Sequence, residues 1–447
     1  MSEKKVALVI CPCWDIEFPP YGISLLSGIL SQNSIDNKVF NFNSIFHTLS
    51  SGDTAMWDQV DLYSYWMNEQ KVEAIFKNYS EIFETFLQKL EPYDVIGFSL
   101  FTLNVKFSMK FAKLVRARYP DKFVIAGGPE CNPNFSVDNI MDNKVFHAIC
   151  KSDAEDCLPA LIKEYFEGKS VEARGFYYLN ELGTYEDRGD FRTVTKLHDL
   201  AFANFDYLGK NASTLNISTS RGCVRDCSYC PERSIWGSYN WRKAESTVNE
   251  MLLMRQRYEK LGFVYFNDDL VNGHMKELEK MCDLLIENKW TTGWGGHALV
   301  RDRWTDQLVE KIGRTNGQRF NFGIESGSNK ILKLMKKMFE VEQAYDLFEK
   351  LHRHHVSFSI NLIIGFPGET EEDFDETRRL ASIVRRYTNY IHVNPCIVLK
   401  GTDLYDKKDK WNIVLPENFV TEWYTADGVN NYEMRMNRAR KLIAEIS

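Results

Sequence analysis

Apolar strand-like runs and helical stretches alternate twice along this 447-residue chain, and that repeated alternation constrains the fold more than any other feature. KVALVICP (5–12), KVFNFN (38–43), DVIGFSL (94–100), FVIAGG (123–128) and VFHAIC (145–150) read as strands. Between them Tyr21–Gln32 and Asn104–Tyr119 repeat apolar residues at helical spacing, and a further helix runs from Ala154 to about Phe166. Parallel strands need a crossover to return the chain, so this order predicts a parallel sheet wound with helices on both faces. Ligands of such sheets sit at the carboxyl ends of the strands. Those ends here are ICPCWD, FNFNS, GFSLFTLN and AGGPECN, rich in Gly, Ser, Thr and Asn. The reading is an α/β, Rossmann-like doubly wound domain over residues 1–171. An insertion at 44–92 contains an expected helix, Asn68–Leu90, to which the sequence assigns no role.

Residues 172–212 read as a connector with a small hairpin around Leu182-Gly183, then an extended stretch to Gly209. The alternation then resumes, with strands at 215–218, 263–268, 293–299, 319–324, 357–365 and 392–399 and helices at 242–260, 274–289, 304–314, 329–354 and 370–387. Six such units over 213–406 predict a partial (β/α)6 barrel of TIM type, whose active site gathers on the loops after the strands. The extension 407–447 either caps the barrel or meets substrate.

Composition narrows the function classes. The net charge of −7 is a poor footprint for gripping a nucleic-acid backbone. Val6–Cys13 and Phe358–Phe366 are the longest apolar runs, far short of the ~20 residues that span a bilayer. MSEKK followed by one short apolar run has no cleavage-site pattern, so a cytoplasmic location is expected. The ten cysteines are then expected as thiols, buried, metal-bound or catalytic.

Three of them, Cys223, Cys227 and Cys230, fall within eight positions on the loop after the first barrel strand. A structural zinc site wants four ligands, and the nearest candidates in sequence, His198, His274 and Cys282, lie far off. Free thiols are a second possibility. An iron–sulfur cluster usually takes four cysteines, so three leave one iron open to a small molecule.

CVRDCSYC, a C-x3-C-x2-C pattern with an aromatic before the last cysteine, resembles the radical S-adenosylmethionine (SAM) superfamily. FNDD (266–269), GIESGS (323–328), IIGFPGET (363–370) and KGTDLY (400–405) resemble its motifs after the second, fourth, fifth and sixth strands, with Lys400 where proline is usual. The resemblance implies that Cys223, Cys227 and Cys230 hold a 4Fe-4S cluster whose open iron chelates SAM. It also implies SAM contacts at Tyr229, Asp268, Asp269, Glu325, Gly365 and Gly368. No catalytic residue is assigned.

The first half resembles the cobalamin-binding domain that precedes many radical SAM barrels, through PPYGISLLSGIL (19–30), NFN (41–43), DVIGFSLFTLN (94–104) and VIAGGPE (124–130). That resemblance implies cobalamin contacts at Tyr21, Gly22, Asn43, Ser99, Thr102, Asn104, Gly127, Gly128 and Pro129. No D-x-H-x-x-G supplies a histidine ligand, which is usual for this branch, and KSDAED (151–156) stands where relatives often carry a G-E-G-E-like stretch.

Each assignment has a plainer counterpart. Tyr229 also suits a core aromatic, Asp268-Asp269 a solvated pair opening a helix, and Gly365 to Gly368 a turn after a strand. Gly127-Gly128-Pro129 also reads as a simple strand-to-loop turn. LHRHHVSFS (351–359) reads as a solvated helix end and Cys396 as a buried core thiol.

By the resemblance, one electron from a flavodoxin- or ferredoxin-type donor cleaves SAM to methionine and a 5′-deoxyadenosyl radical, and methylcobalamin then methylates the substrate radical. The leading expectation is a cobalamin-dependent C-methyltransferase for a small molecule, lipid or peptide, binding no nucleic acid and spanning no membrane. The alternatives are a radical SAM cyclase or rearrangement enzyme, and a corrinoid-binding protein with a structural cluster. An RNA methylthiotransferase reading is set aside: Cys11, Cys13 and Cys131 form no convincing second cluster set, and the chain is acidic.

Overall fold

In the computed structural model, which describes residues 4–446 except 51, 59–61, 134–136, 152, 170–171, 190–195 and 389, the chain divides into two units, Met1–Gly209 and Lys210–Ser447. The first is built on seven strands: β1 Val6–Ile10, β2 Asn37–Asn41, β3 Val95–Ser99, β4 Phe123–Gly127, β5 Ala148–Cys150, β6 Phe176–Leu179 and β7 Tyr185–Asp187. Their order is β2-β1-β3-β4-β5-β6-β7. The first five run parallel and the last two antiparallel. The expected hairpin around Leu182-Gly183 is thus the edge of this sheet. Position 152 of KSDAED and positions 190–195 of the connector lie outside the described residues.

The parallel strands are apolar on both sides, as sheets covered on two faces require. One face packs against helices α1 Tyr21–Gln32 and α3 Cys157–Phe166, through Leu8, Ile23, Leu30, Leu158 and Ile162. The other carries α2 Val105–Arg118 and the 44–92 insertion. The insertion fills that face with aromatic side chains: Phe42 stacks on Phe86 at 4.0 Å, and Phe46, Phe76 and Phe83 surround Phe107. Two expectations need correction here. The strand expected over 38–43 ends at Asn41, whose side chain accepts from Ser44 N at 3.0 Å and caps a helix Phe42–Leu49. The helix expected over Asn68–Leu90 is two, Glu69–Asn78 and Ser80–Leu90, divided at Tyr79.

The second unit holds six parallel strands: β8 Thr214–Ile217, β9 Phe263–Phe266, β10 Gly293–Ala298, β11 Phe320–Glu325, β12 Phe358–Ile364 and β13 Ile391–Pro395. They lie in chain order, as a partial barrel requires. Outside run α4 Ala244–Arg257, α5 Met275–Glu287, α6 Asp306–Arg314, α7 Val341–Arg353 and α8 Glu371–Val384. Thr370 and Asp373 form a capping box that starts α8 directly after the GFPGE turn. The helix expected over 329–354 is broken: a short helix Asn329–Leu334 ends, Lys336 and Met338 take positive φ, and α7 begins at Val341. The C-terminal helix, α9 Tyr432–Ile446, packs on β12, β13 and α8. Among the described residues no helix is long and apolar enough to cross a membrane.

Candidate active site

The three cysteines sit on the loop after β8, and that loop is tied down at several points. Gly222 N donates to Asp269 Oδ2 at 3.0 Å. Buried Ser228 donates from its N to Met335 O at 3.2 Å and from Oγ to Leu334 O at 3.1 Å. Leu404 N, in the KGTDLY turn, donates to Ser228 O at 3.0 Å. The second- and sixth-strand motifs and the segment that follows the fourth-strand motif therefore converge on one loop.

Asp268 and Asp269 are not a solvated pair opening a helix. Asp268 is buried and accepts from Thr219 N at 2.6 Å and from the Thr219 hydroxyl. Burial pushes its carboxyl up to about 6. Asp269 is raised well above the usual range by burial and by the adjoining Glu232 carboxyl. Both aspartates fasten the backbone around the cysteine loop.

Tyr229 and Glu325 meet: the Tyr229 hydroxyl donates to Glu325 Oε1 at 2.8 Å. A third group, which the sequence reading missed, completes the cluster. Lys337 Nζ lies 3.3 Å from Glu325 Oε1 and 3.2 Å from the Tyr229 hydroxyl, its side chain almost wholly buried. Burial opposes its charge, but Glu325 and Cys227 outweigh that and hold its pKa above the ordinary lysine value. The break after Leu334 is what turns Lys337 inward, and no periodicity in KLMKKMF marks it.

Burial raises the pKa of all three thiols. Lys337 works against that at Cys223 and Cys227, Arg225 at Cys227, and the Arg225 N–H donates to Cys223 Sγ at 3.4 Å. Arg225 Nε is buried without a hydrogen-bond partner among the described residues. Two cations and an unused N–H beside three thiols suit an anionic cluster, whose binding would itself drive off the thiol protons. Among the described residues no three His, Cys, Asp or Glu side chains are grouped to hold a metal ion.

Gly365 and Gly368 both have positive φ. The Gly365 loop is gripped by residues the sequence reading did not single out. Gly365 N donates to Glu369 Oε2 at 2.8 Å, and Asn430 Nδ2 donates to Gly365 O at 2.8 Å. Arg435, fully buried, lies over Trp423 at 3.9 Å and donates to Thr421 O and Trp423 O. The C-terminal extension therefore holds this loop. Cys396 is a buried thiol pushed up to about 12 by burial. His352 and His355 are exposed at the end of α7 and the linker beyond it.

In the first unit the expected cobalamin contacts all fall on the carboxyl edge of the sheet. Tyr21 and Gly22 open α1, Asn43 follows β2, Ser99 to Asn104 end and follow β3, and Gly127 to Pro129 end and follow β4. Their side chains differ in availability. Asn43 accepts from Trp14 N at 2.9 Å and donates to Trp14 O at 3.0 Å. Asn104 accepts from Phe101 N at 2.7 Å and donates to Ser99 O at 3.0 Å. Both amides are spent on holding rim loops. Thr102 donates to Glu130 Oε1 at 2.5 Å. Gly128 has φ +100, and a Cβ there would stand 2.6 Å from Leu100 O, so the chain itself requires glycine. What this edge does offer is Trp14 against Phe101, half-buried rings with centroids 4.5 Å apart. These provide an apolar platform suited to one face of a large macrocycle.

Comparison with known proteins agrees with this geometry. The Radical SAM superfamily model matches residues 217–381. The chain is 30% identical over 192 residues to the ribosomal protein uS12 methylthiotransferase RimO of Thermosipho melanesiensis, covering 41% of this chain and 44% of that one. It is 24% identical over 304 residues to the bacteriochlorophyllide d C-12(1)-methyltransferase of Chlorobaculum tepidum, covering 66% and 61%. The chain thus spans less than two thirds of the length of these relatives. Among solved structures, the cobalamin-dependent S-adenosylmethionine radical enzyme OxsB with aqua-cobalamin matches with a TM-score of 0.71 at 17% identity, over 98% of this chain and 66% of that one. The radical S-adenosylmethionine methyltransferase TsrM from Kitasatospora setae, with cobalamin and a 4Fe-4S cluster, matches at 0.66 and 14% identity, over 90% and 74%. These likenesses carry the fold, a Rossmann-like unit followed by a partial six-strand barrel. The barrel stretch that carries the three cysteines, on the loop after the first strand, is thus the part of the chain that matches the radical SAM superfamily.

Proposed function

We propose that this protein is a cobalamin-dependent radical SAM enzyme that C-methylates an unactivated carbon of its substrate. The observation that carries the reading is the cysteine loop, three thiols flanked by Lys337 and Arg225 and anchored by the other barrel motifs. When bound, a 4Fe-4S cluster and SAM supply the electron and the adenosyl group of radical chemistry, and cobalamin supplies a transferable methyl group.

The chain's own residues position and shield. Cys223, Cys227 and Cys230 would hold the cluster, with Lys337 and Arg225 offsetting its negative charge. Tyr229, Glu325 and Lys337 form a dry, charge-balanced wall beside the thiols, and Glu325 would accept from a SAM ammonium or ribose hydroxyl. The Gly365 turn would lie along the adenosyl moiety. Trp14 and Phe101 would support the corrin ring. Methyl transfer over other radical chemistry is supported by the likeness to a bacteriochlorophyllide methyltransferase and to the fold of TsrM. A flavodoxin- or ferredoxin-type protein would deliver the electron.

The test is anaerobic incubation of reconstituted protein with SAM, a reductant and hydroxocobalamin, with 5′-deoxyadenosine and S-adenosylhomocysteine quantified. Both products are expected, the second only with the corrinoid. Deoxyadenosine with no corrinoid-dependent S-adenosylhomocysteine points to cyclisation or rearrangement chemistry instead.

A further inference from the structure

The barrel strands turn a polar face away from their helices. On β12, Phe358, Ile360, Leu362 and Ile364 are buried, and Phe358 stacks on Phe348 of α7 at 4.6 Å. The alternate residues, Ser359 and Asn361 among them, therefore face the barrel interior. Strand register carries this face across the sheet. Asn361 pairs with Gly323 and His392, Asn321 with His297 and Ser359, and Tyr265 with Asn216 and Gly295. Barrels of this type are ordinarily filled by layers of Val, Ile and Leu; none of these nine residues is aliphatic, and Ile363, the next alternate residue of β12, adds one aliphatic side chain toward the strand's carboxyl end.

One amide on this face stands without a partner: Asn321 Oδ1 is buried with no hydrogen-bond partner among the described residues. Tyr265 sets its ring edge-on to His297, with centroids 6.2 Å apart. Burial, with His392 nearby, pushes the His297 ring down to about 4, and burial lowers His392 as well. Neutral imidazoles each offer one donor and one acceptor. The buried ion pair Glu325–Lys337 lies over Gly323, where a Cβ would stand 2.4 Å from Glu325 Oε1. That pair is internally balanced, and the interior residues on the strands below it carry no fixed charge.

We infer that this interior is the substrate pocket and that it takes a compact, uncharged substrate rich in hydroxyl, amide or ring-nitrogen groups, read by His297, Asn321, Asn361 and His392. The inference deepens the function proposed above and rests on it. An alkyl chain in this space would leave the buried Asn321 Oδ1 unpaired. An ionised group would find no partner of opposite charge among these strand residues. Of the substrate classes the sequence leaves open, lipid is disfavoured and small polar molecules are favoured.

Cluster-loaded protein would be titrated with uridine and methyl α-D-glucoside as neutral polar probes, 1-octanol as the apolar probe and glucuronate as the charged one. Binding is followed by the ring 15N signals of His297 and His392. At least one neutral polar probe is expected to move both signals, and to bind about tenfold or more weakly in Asn321→Leu and in His392→Phe. Circular dichroism identifies which variant is folded, and one folded variant suffices. The inference is overturned if octanol or glucuronate moves these signals and the neutral probes do not, if no probe moves them, or if the folded variants bind as wild type does. SAM cleavage by the same wild-type preparation separates the two claims. Its absence defeats the radical SAM reading, whereas normal cleavage with apolar or charged selectivity defeats the pocket assignment alone.

Discussion

Lys337 and Glu325 form an ion pair at 3.3 Å with side-chain exposures of 3% and 8%, next to the loop that carries Cys227. Removing one partner of such a buried pair leaves the other charge unpaired in a low-dielectric site. Lys337→Met is therefore expected to cost about 3–5 kcal/mol. Adding Glu325→Gln should restore part of the loss, because it removes the stranded carboxylate. Urea unfolding of the two single variants and the double variant measures the coupling. Additive losses would show that the pair is not coupled.

Gly365→Ala meets two obstacles. Its φ is +76, and the new Cβ would stand 2.3 Å from Arg435 Cγ. Left-handed backbone strain and overpacking together predict a loss of about 2–4 kcal/mol. Arg435→Ala in the same background should relieve the crowding part but not the strain. Thermal unfolding of the three proteins resolves the two contributions.

Glu369 predicts a pH dependence. Burial raises its carboxyl from 4.5 to about 7, despite the Gly365 N–H and Arg438 that favour its charged form. Between those values the folded protein keeps a proton that the unfolded chain releases. Its contribution is thus full below about pH 4.5 and is lost as pH rises through 7, a swing on the order of 3 kcal/mol. Glu369→Gln should flatten stability over that window. Urea unfolding at a series of pH values checks it, and an unchanged slope would contradict the assignment.

Asp269 connects the second-strand motif to the cysteine loop through Gly222 N. Asp269→Ala is expected to leave the barrel folded but to loosen that loop. Reconstituted iron should then be lost to a chelator severalfold faster than from wild type, as followed by visible absorption. Equal loss rates would show that Asp269 does not position the cysteines.

The parts of the fold that were legible are those written in local periodicity. The parallel N-terminal strands are legible as near-continuous apolar runs, because a strand buried on both faces leaves one, whereas barrel strands such as β11 and β12 show as apolar–polar alternation with one face toward the helices. The errors lie where a single side chain overrides the pattern. Asn41 caps a helix that FNFN disguises as strand, and the positive φ of Lys336 and Met338 breaks an otherwise continuous helical stretch. The same break explains why Lys337 escaped notice, since its position depends on a turn. Asp268 and Asp269, expected to end the second barrel strand, fall just beyond it, since the strand stops at Phe266, and their burial against Thr219 and Glu232 is long-range information. The grip of the C-terminal extension on Gly365, through Asn430 and Arg435, joins residues more than sixty positions apart and has no local signal.

The central claim is that Cys223, Cys227 and Cys230 hold the cluster that cleaves SAM. The most direct measurement is the yield of 5′-deoxyadenosine from SAM under anaerobic reducing conditions, for reconstituted wild type and Cys227→Ala in parallel. The account predicts deoxyadenosine from wild type and none above background from the variant, which should also lack the cluster's visible absorption. A variant that still forms deoxyadenosine, or a cluster-loaded wild type that forms none, would contradict it.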